Sequence, residues 1–176
     1  ETGVANITLT VNDGDDDAQT TFEVTVNAAN ESPTITTIAD QVINEDTPTG
    51  ALAFTIGDAE TAPGSLTVTR ASGDLTLVPL ANVVLGGSNE NRTVVVTPAP
   101  DQFGSTTITL TVNDGAASVD TDFLVTVTAV NDAPTITGIA DQIVNENTST
   151  GPLAFTIGDV ETPAASLTVT RASSNT

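Results

Sequence analysis

Residues 105–128 read STTITLTVNDGAASVDTDFLVTVT. Ile108, Leu110 and Val112 alternate with Thr109 and Thr111, and Phe123, Val125 and Val127 alternate with Leu124 and Thr126. Successive side chains of a strand point to opposite faces, so each run has one apolar face and one largely polar face. Two such runs joined by the polar loop Asn113 to Ser118 predict an antiparallel pair. Its inward stripe is Ile108, Leu110, Val112, Phe123, Val125 and Val127.

The same text occurs again 101 residues earlier. Residues 1–29 align without a gap on 102–130 with 15 of 29 positions identical, anchored by ITLTVNDG at 7–14 and 108–115. Residues 30–75 align on 131–176 in the same register with 31 of 46 identical. The sequence therefore predicts one complete repeat over 30–130, preceded at 1–29 by the closing part of one copy and followed at 131–176 by the opening part of another. Half a sandwich exposes its apolar face, so the chain is expected to be a window on a longer polypeptide, unless neighbouring chains complete the halves. Cooperative folding is expected over 30–130, with both flanks loosely held and prone to association.

Within the complete repeat, short period-two segments fall at 33–38, 41–44, 51–57, 65–71, 75–85, 92–97, 105–112 and 119–128, separated by Gly, Pro, Asn and Asp. No segment carries a 3.6-residue apolar period. Seven or eight short strands in roughly a hundred residues is the strand count of an Ig-like sandwich, so the fold class is all-β, an Ig-like antiparallel sandwich repeated in tandem.

Composition narrows the function. The 176 residues hold 23 acidic side chains against three basic ones, a formal net charge of −20, with no Cys, His, Met, Trp or Tyr. The three basic residues are Arg70, Arg92 and Arg171, so Lys is absent as well. Such a charge repels nucleic acid and anionic membrane surfaces and attracts cations. A hydrophobic content of 38% with dense Val, Ile and Thr alternation argues for folded strands over disorder. Without Cys there is no disulfide framework and no thiolate metal site. No stretch reaches the length of an apolar membrane span. Without His, Cys or Lys the usual general bases and nucleophile pairs are missing, and a glycosidase carboxylate pair would lack Trp or Tyr platforms for sugar. An enzyme is not expected.

Six segments carry a family resemblance. Asn30-Glu31-Ser32-Pro33 and Asn131-Asp132-Ala133-Pro134 resemble a shortened form of the Asn-Asp-Asn-x-Pro linker between cadherin repeats. Asn44-Glu45-Asp46-Thr47-Pro48-Thr49-Gly50 is similar to the Pro-Glu-Asn-x-Pro-x-Gly segment, and Asp58-Ala59-Glu60 to the Asp-x-Asp pair. Asp101 lies near the place of the Asp-Arg-Glu motif, and Asn113-Asp114-Gly115 resembles the Asp-Gly loop before the last strand. The chain thus resembles the cadherin-like, Ig-like tandem domains of large bacterial surface proteins of adhesin type.

That resemblance implies calcium as cofactor, held where modules meet. Calcium takes six to eight oxygens from separate loops. For the junction at 131–134 the implied ligands are Glu45, Asp101, Asn131, Asp132, Asp159 and Glu161. For the junction at 30–33 they are Asn30, Glu31, Asp58, Glu60 and Asp114, with no counterparts of Glu45 and Asp101 in residues 1–29. Departures from the family pattern, Ala28 and Ala129 for the first linker Asp and Glu60 and Glu161 for an Asp, imply fewer or weaker ions. The alternative is that these carboxylates are solvated loop residues that keep the array soluble.

Asp13-Gly14-Asp15-Asp16-Asp17 has carboxylates at EF-hand positions 1, 3 and 5, but Ala18 stands where Gly is needed and Val24 where the bidentate Glu belongs, so a solvated turn is expected. Thr-rich strands such as 106–111 are read as the outward side of a sandwich rather than an ice-binding face. The expected function is an extracellular, cell-surface spacer or adhesive module. Its partners are neighbouring repeats of the same polypeptide, with no nucleic acid and no membrane insertion. The alternative is a subunit of an extracellular filament or surface layer joined end to end with other copies of itself.

Overall fold

The computed structural model describes residues 2–174; the outermost positions of the two flanking repeats, 1 and 175–176, lie outside them. Twelve strands occur among the described residues, and eight of them make two facing sheets. They are β3 (Thr34–Ile35), β4 (Gln41–Asn44), β5 (Leu52–Gly57), β6 (Thr67–Ser72), β7 (Val83–Ser88), β8 (Asn91–Val96), β9 (Gly104–Asn113) and β10 (Ser118–Thr128). One sheet has the order β3-β5-β8-β7 and the other β4-β10-β9-β6. With β3 and β4 as two halves of the first strand, these are the A-B-E-D and A′-G-F-C orders of an Ig-like sandwich.

The split of the first strand has a local cause. Pro33 and Ile38 are buried between the sheets. The chain then crosses, and Asp40 Oδ1 accepts the Leu124 amide at 2.8 Å, fixing the entry of β4 onto β10. There β4 runs parallel to β10, pairing Gln41 to Asn44 with Val125 to Thr128. The expected strand at 33–38 is therefore reduced to two residues, because the remainder is the crossover.

The core is the set that alternation selects. Ile108, Leu110, Val112 and Val125 are completely buried, Phe123 and Val127 nearly so, and they face Phe54, Ile56, Val94 and Val96 of the other sheet. The pair β9–β10 has the register Ile108↔Phe123 and ends at Asn113 and Ser118, as the sequence predicts. The expected strand at 75–85 is not one strand. Asp74 Oδ1 accepts the Thr76 and Leu77 amides at 2.8 and 3.1 Å, and Pro79 precedes a single 3-10 turn at Leu80–Asn82 before β7 begins. Side-chain capping of neighbouring amides and a residue without an N–H together stop a ladder.

The flanking copies form less. Residues 3–26 make an isolated hairpin, β1 (Gly3–Asn12) and β2 (Asp17–Val26), in the register Ile7↔Phe22 that reproduces β9–β10. Beyond the linker, β11 (Thr135–Ile136) pairs with β12 (Ile157–Gly158), reproducing β3–β5. The counterparts of β4 and β6, residues 142–145 and 168–173, are in no strand. The reason is topological: β4 and β6 pair on β10 and β9.

Core position and sequence repeat can be separated by mutation. Ile108→Ala is expected to lower the stability of the sandwich by about 2–5 kcal/mol in chemical denaturation, since no volume at that site faces solvent. Ile7→Ala, at the same repeat position but 38% exposed, should change it by less than about 0.5 kcal/mol. Equal effects would show that the hairpin shares the core.

Candidate cation site at the repeat junction

The site begins with the parallel pairing of β4. Its ladder continues one residue further, where the Glu45 amide donates to the Thr128 carbonyl at 2.9 Å. This holds Glu45 beneath the point where the chain leaves β10, and its side chain is 4% exposed. Its Oε1 accepts the Val130 amide at 2.6 Å, whereas its buried Oε2 has no partner.

The linker follows at once. The Asp132 amide donates to Glu161 Oε2 at 3.0 Å, and Asn131 Nδ2 to the Asp132 carbonyl at 2.7 Å. Asp132 Oδ2 and Glu161 Oε1 are likewise buried without a hydrogen-bond partner. One carboxylate oxygen from each of Glu45, Asp132 and Glu161 lies within 4.8 Å of the other two. Two oxygens bound to one calcium stand at most about 5 Å apart, so the three are spaced for a shared ion.

Electrostatics gives the same picture. Burial holds the Asp132 carboxyl above the usual carboxylate range, and the charges of Glu161, Asp101, Glu45 and Asp46 push it further up. All four charged neighbours are acidic. Arg70 donates instead to the Leu80 carbonyl, and Arg92 to the Asn89 and Pro63 carbonyls, well away in the sandwich. A buried carboxylate oxygen without a hydrogen bond or counter-charge is costly and requires an explanation, of which a bound cation is one. A group of all-oxygen, all-anionic donors suits a hard cation such as calcium rather than zinc or copper.

Of the remaining expected ligands, Asn131 lies in the linker, Asp101 beside the group and Asp159 outside it. Asp101 and Asp46 stand close enough to act on Asp132, and the Asp101 amide donates to Asp46 Oδ1 at 3.3 Å. Both adopt left-handed backbone, φ 56° and 57°. Asp46 was not among the expected ligands, although it adjoins Glu45 within the quoted motif. Asp159 is outside the group of three: its Oδ1 accepts the Thr162 amide at 2.8 Å and shapes the loop that presents Glu161.

The junction at 30–33 repeats the downstream half alone. The Glu31 amide donates to Glu60 Oε2 at 3.0 Å, as its counterpart does. Asp58 Oδ1 accepts the Glu60 and Thr61 amides, leaving a buried Oδ2 unpartnered. Asn30 Nδ2 donates to Asp114 Oδ2 at 3.0 Å. Asp114 Oδ1 takes the Ala117 and Ala116 amides, and these bonds with that from Asn30 hold its carboxyl below the usual range. Asn30, Glu31, Asp58, Glu60 and Asp114 thus meet, but they form no three-carboxylate group among the described residues. Asp13 repeats the Asp114 turn, accepting the Asp16 and Asp15 amides at 2.9 and 3.1 Å, so Asp13 to Asp16 form a hairpin turn and Asp17 opens β2.

No family model matches the chain, and no curated protein matches it. Among solved structures, a chimeric titin Z1Z2 functionalized with a KLER peptide from decorin is 16% identical, with TM-score 0.43, over 58% of this chain and all of that one. Titin domains Z1Z2 in complex with telethonin are 14% identical, with TM-score 0.44, over 64% of this chain and 55% of that one. An endo-fucoidan hydrolase of glycoside hydrolase family 107 is 18% identical, with TM-score 0.42, over 77% of this chain but 21% of the enzyme. The Ig-like assignment rests on strand order and register.

The raised Asp132 carboxyl has a definite sign. The folded state keeps that proton at a pH where the unfolded chain has lost it. Stability without a cation therefore falls as pH rises from near 3.8 through the higher folded value. The lowered Asp114 and Asp13 carboxyls act in the opposite sense and at lower pH. Without a cation, Asp132→Asn is expected to flatten the decline of melting temperature as pH rises above 3.8, relative to the parent chain. Identical slopes would mean that the acidic group exerts no strain on the fold.

Proposed function

We propose that the chain is part of a cell-surface spacer array whose junctions are stiffened by calcium. In this reading residues 30–130 are one module, 1–29 the closing part of the module before it, and 131–176 the opening part of the module after it. The observation that supports it is the origin of the three unpartnered oxygens. Glu45 belongs to the upstream sandwich, Asp132 to the linker, and Glu161 to the segment that follows. A cation bound by all three fixes the direction in which one module leaves another.

The residues that would hold it are Glu45, Asp132 and Glu161, with Asp101, Asp46 and Asn131 beside them to complete an oxygen shell. Bound, the ion supplies positive charge that relieves the mutual repulsion of the acidic groups and couples the linker to both sides. Without it, the Asp132 carboxylate sits among four others, and the Val130 and Asp132 amides hold the linker. The bacterial adhesin-type resemblance of the linker and loop motifs supports an extracellular location, where calcium is abundant. The repeats supply length and direction; recognition of a target belongs elsewhere in such an array.

Extracellular calcium modules bind at about 10⁻⁴–10⁻³ M. Calcium at ten to a hundred times the dissociation constant should then add about 1.4–2.7 kcal/mol by mass action. Millimolar calcium is expected to raise the melting temperature and to lengthen the particle in solution scattering relative to EDTA. Glu45→Gln with Glu161→Gln should abolish both changes, whereas Asp15, Asp16 and Asp17 replaced together by Asn should preserve them. No response of the parent chain to calcium would overturn the reading, and loss of response in the Asn triple variant would place the site at the hairpin turn instead.

A further inference from the structure

The two sheets of the sandwich part along one side. β6 and β7 are the outer strands on the side away from β3 and β4, and a cleft of about 150 Å³ opens there, lined by Phe54, Val68, Leu85, Gly86, Gly87 and Arg92. Local sequence explains the space. Val83 is fully buried and Leu85 packs against the core, but the next position in that alternation along β7 is Gly87, which has no side chain. Gly87 cannot gain one, because its φ is 81° and a Cβ there would overlap the Asn91 carbonyl oxygen and the Arg92 Cα. Across from it stands a charge. Arg92 pairs with Gly87 on one side and Phe54 on the other, and it shares the face of β8 that carries the buried Val94 and Val96. Its Nε donates to the Asn89 carbonyl at 2.7 Å and its Nη2 to the Pro63 carbonyl at 3.2 Å, which holds the half-buried guanidinium in place. Nη1 makes no hydrogen bond to the described residues, and no carboxylate among them pairs with Arg92.

We propose that this cleft binds a small apolar carboxylate, with its carboxylate on the Arg92 guanidinium and its apolar body between Phe54, Val68 and Leu85. The size is suitable, since an apolar cavity of about 150 Å³ admits a benzene ring. The chemistry is suitable too: a guanidinium already fixed by two carbonyls gives a charge-assisted bond to a carboxylate at little further cost in side-chain freedom. The charge of the whole chain narrows the class. A net charge of −20 repels polyanions such as nucleic acid or an acidic peptide, so the anion best able to use Arg92 carries a single charge on an apolar body. None of the lining residues belongs to the acidic groups at the junctions. The test is run in EDTA, so that failure of this proposal and failure of the calcium reading are distinguishable.

The probe is benzoate, with benzyl alcohol as its uncharged counterpart and sulfate as an anion without an apolar body. In NMR titrations of the full chain near neutral pH and at constant ionic strength, benzoate is expected to shift the Leu85, Gly86 and Gly87 amides and the Arg92 Nε–H in a saturable way. A dissociation constant of about 10⁻³ M is the strength expected of so few atoms. Benzyl alcohol and sulfate should each bind about tenfold more weakly or worse. These comparisons use the parent chain alone. Arg92→Gln should weaken benzoate by about tenfold and leave benzyl alcohol unchanged, and Val68→Phe, which places a ring in the cleft, should abolish benzoate binding. Arg70→Gln, on β6 but outside the lining, should bind as the parent does. No saturable shift with benzoate, equal binding of benzyl alcohol, an equal response to sulfate, or undiminished affinity in Arg92→Gln would each overturn the proposal.

Discussion

Four residues pairing in parallel, Gln41 to Asn44 on Val125 to Thr128, set the position of the acidic group at the 131–134 junction. They carry the first strand from one sheet to the other and give the sandwich its Ig-like closure. They also bring the start of the sandwich beside its end, so that the next residue, Glu45, lies under the exit of the chain with its amide on the Thr128 carbonyl. A side chain 85 positions away in sequence thereby accepts the amide of Val130. An antiparallel first strand confined to one sheet would leave that acid at a distance from the linker.

How far the sequence discloses this depends on whether the determining contact is local. Alternation at Ile108, Leu110 and Val112 identifies the core, because burial on one face of a strand imposes a period of two and the 101-residue repeat confirms the register. The segment 75–85 misleads because Leu75, Leu77, Val78, Leu80, Val83 and Val84 look like a strand, while Asp74 turns its carboxylate onto the following amides and Pro79 interrupts the ladder. For the junction, the motif resemblance names Glu45, Asp132 and Glu161 together, but it does not rank them above Asp101 and Asp159. Ranking requires knowing which oxygens are consumed by loop amides, as Asp159 Oδ1 is by Thr162. Asp46 is found only in three dimensions, where its left-handed turn brings it beside Asp101.

The two flanks illustrate the same division between local and distant contacts. β11 and β12 form because their residues are close in sequence and carry the hydrogen bonds that β3 and β5 carry, such as Thr135 Oγ1 to the Gly158 carbonyl, the counterpart of Thr34 Oγ1 to Gly57. The β1–β2 hairpin forms for the same reason, with Asp13 capping its turn. Sheet contacts that depend on the other end of a repeat are missing from both.

The junctions follow this logic down to single atoms. The bracket from linker amide to downstream glutamate is present in both, Glu31 to Glu60 and Asp132 to Glu161, each 3.0 Å and 29 residues apart in sequence. It needs nothing from the preceding sandwich. The third carboxylate does, and it is found only where a finished β4–β10 pair stands upstream. With the donors divided this way the proposed cation site would depend on a folded upstream neighbour: among the described residues, the downstream half at 30–33 groups no three carboxylates. At the 131–134 junction four acidic groups surround Asp132, an uncompensated charge for which the proposed divalent ion would be the counter-charge.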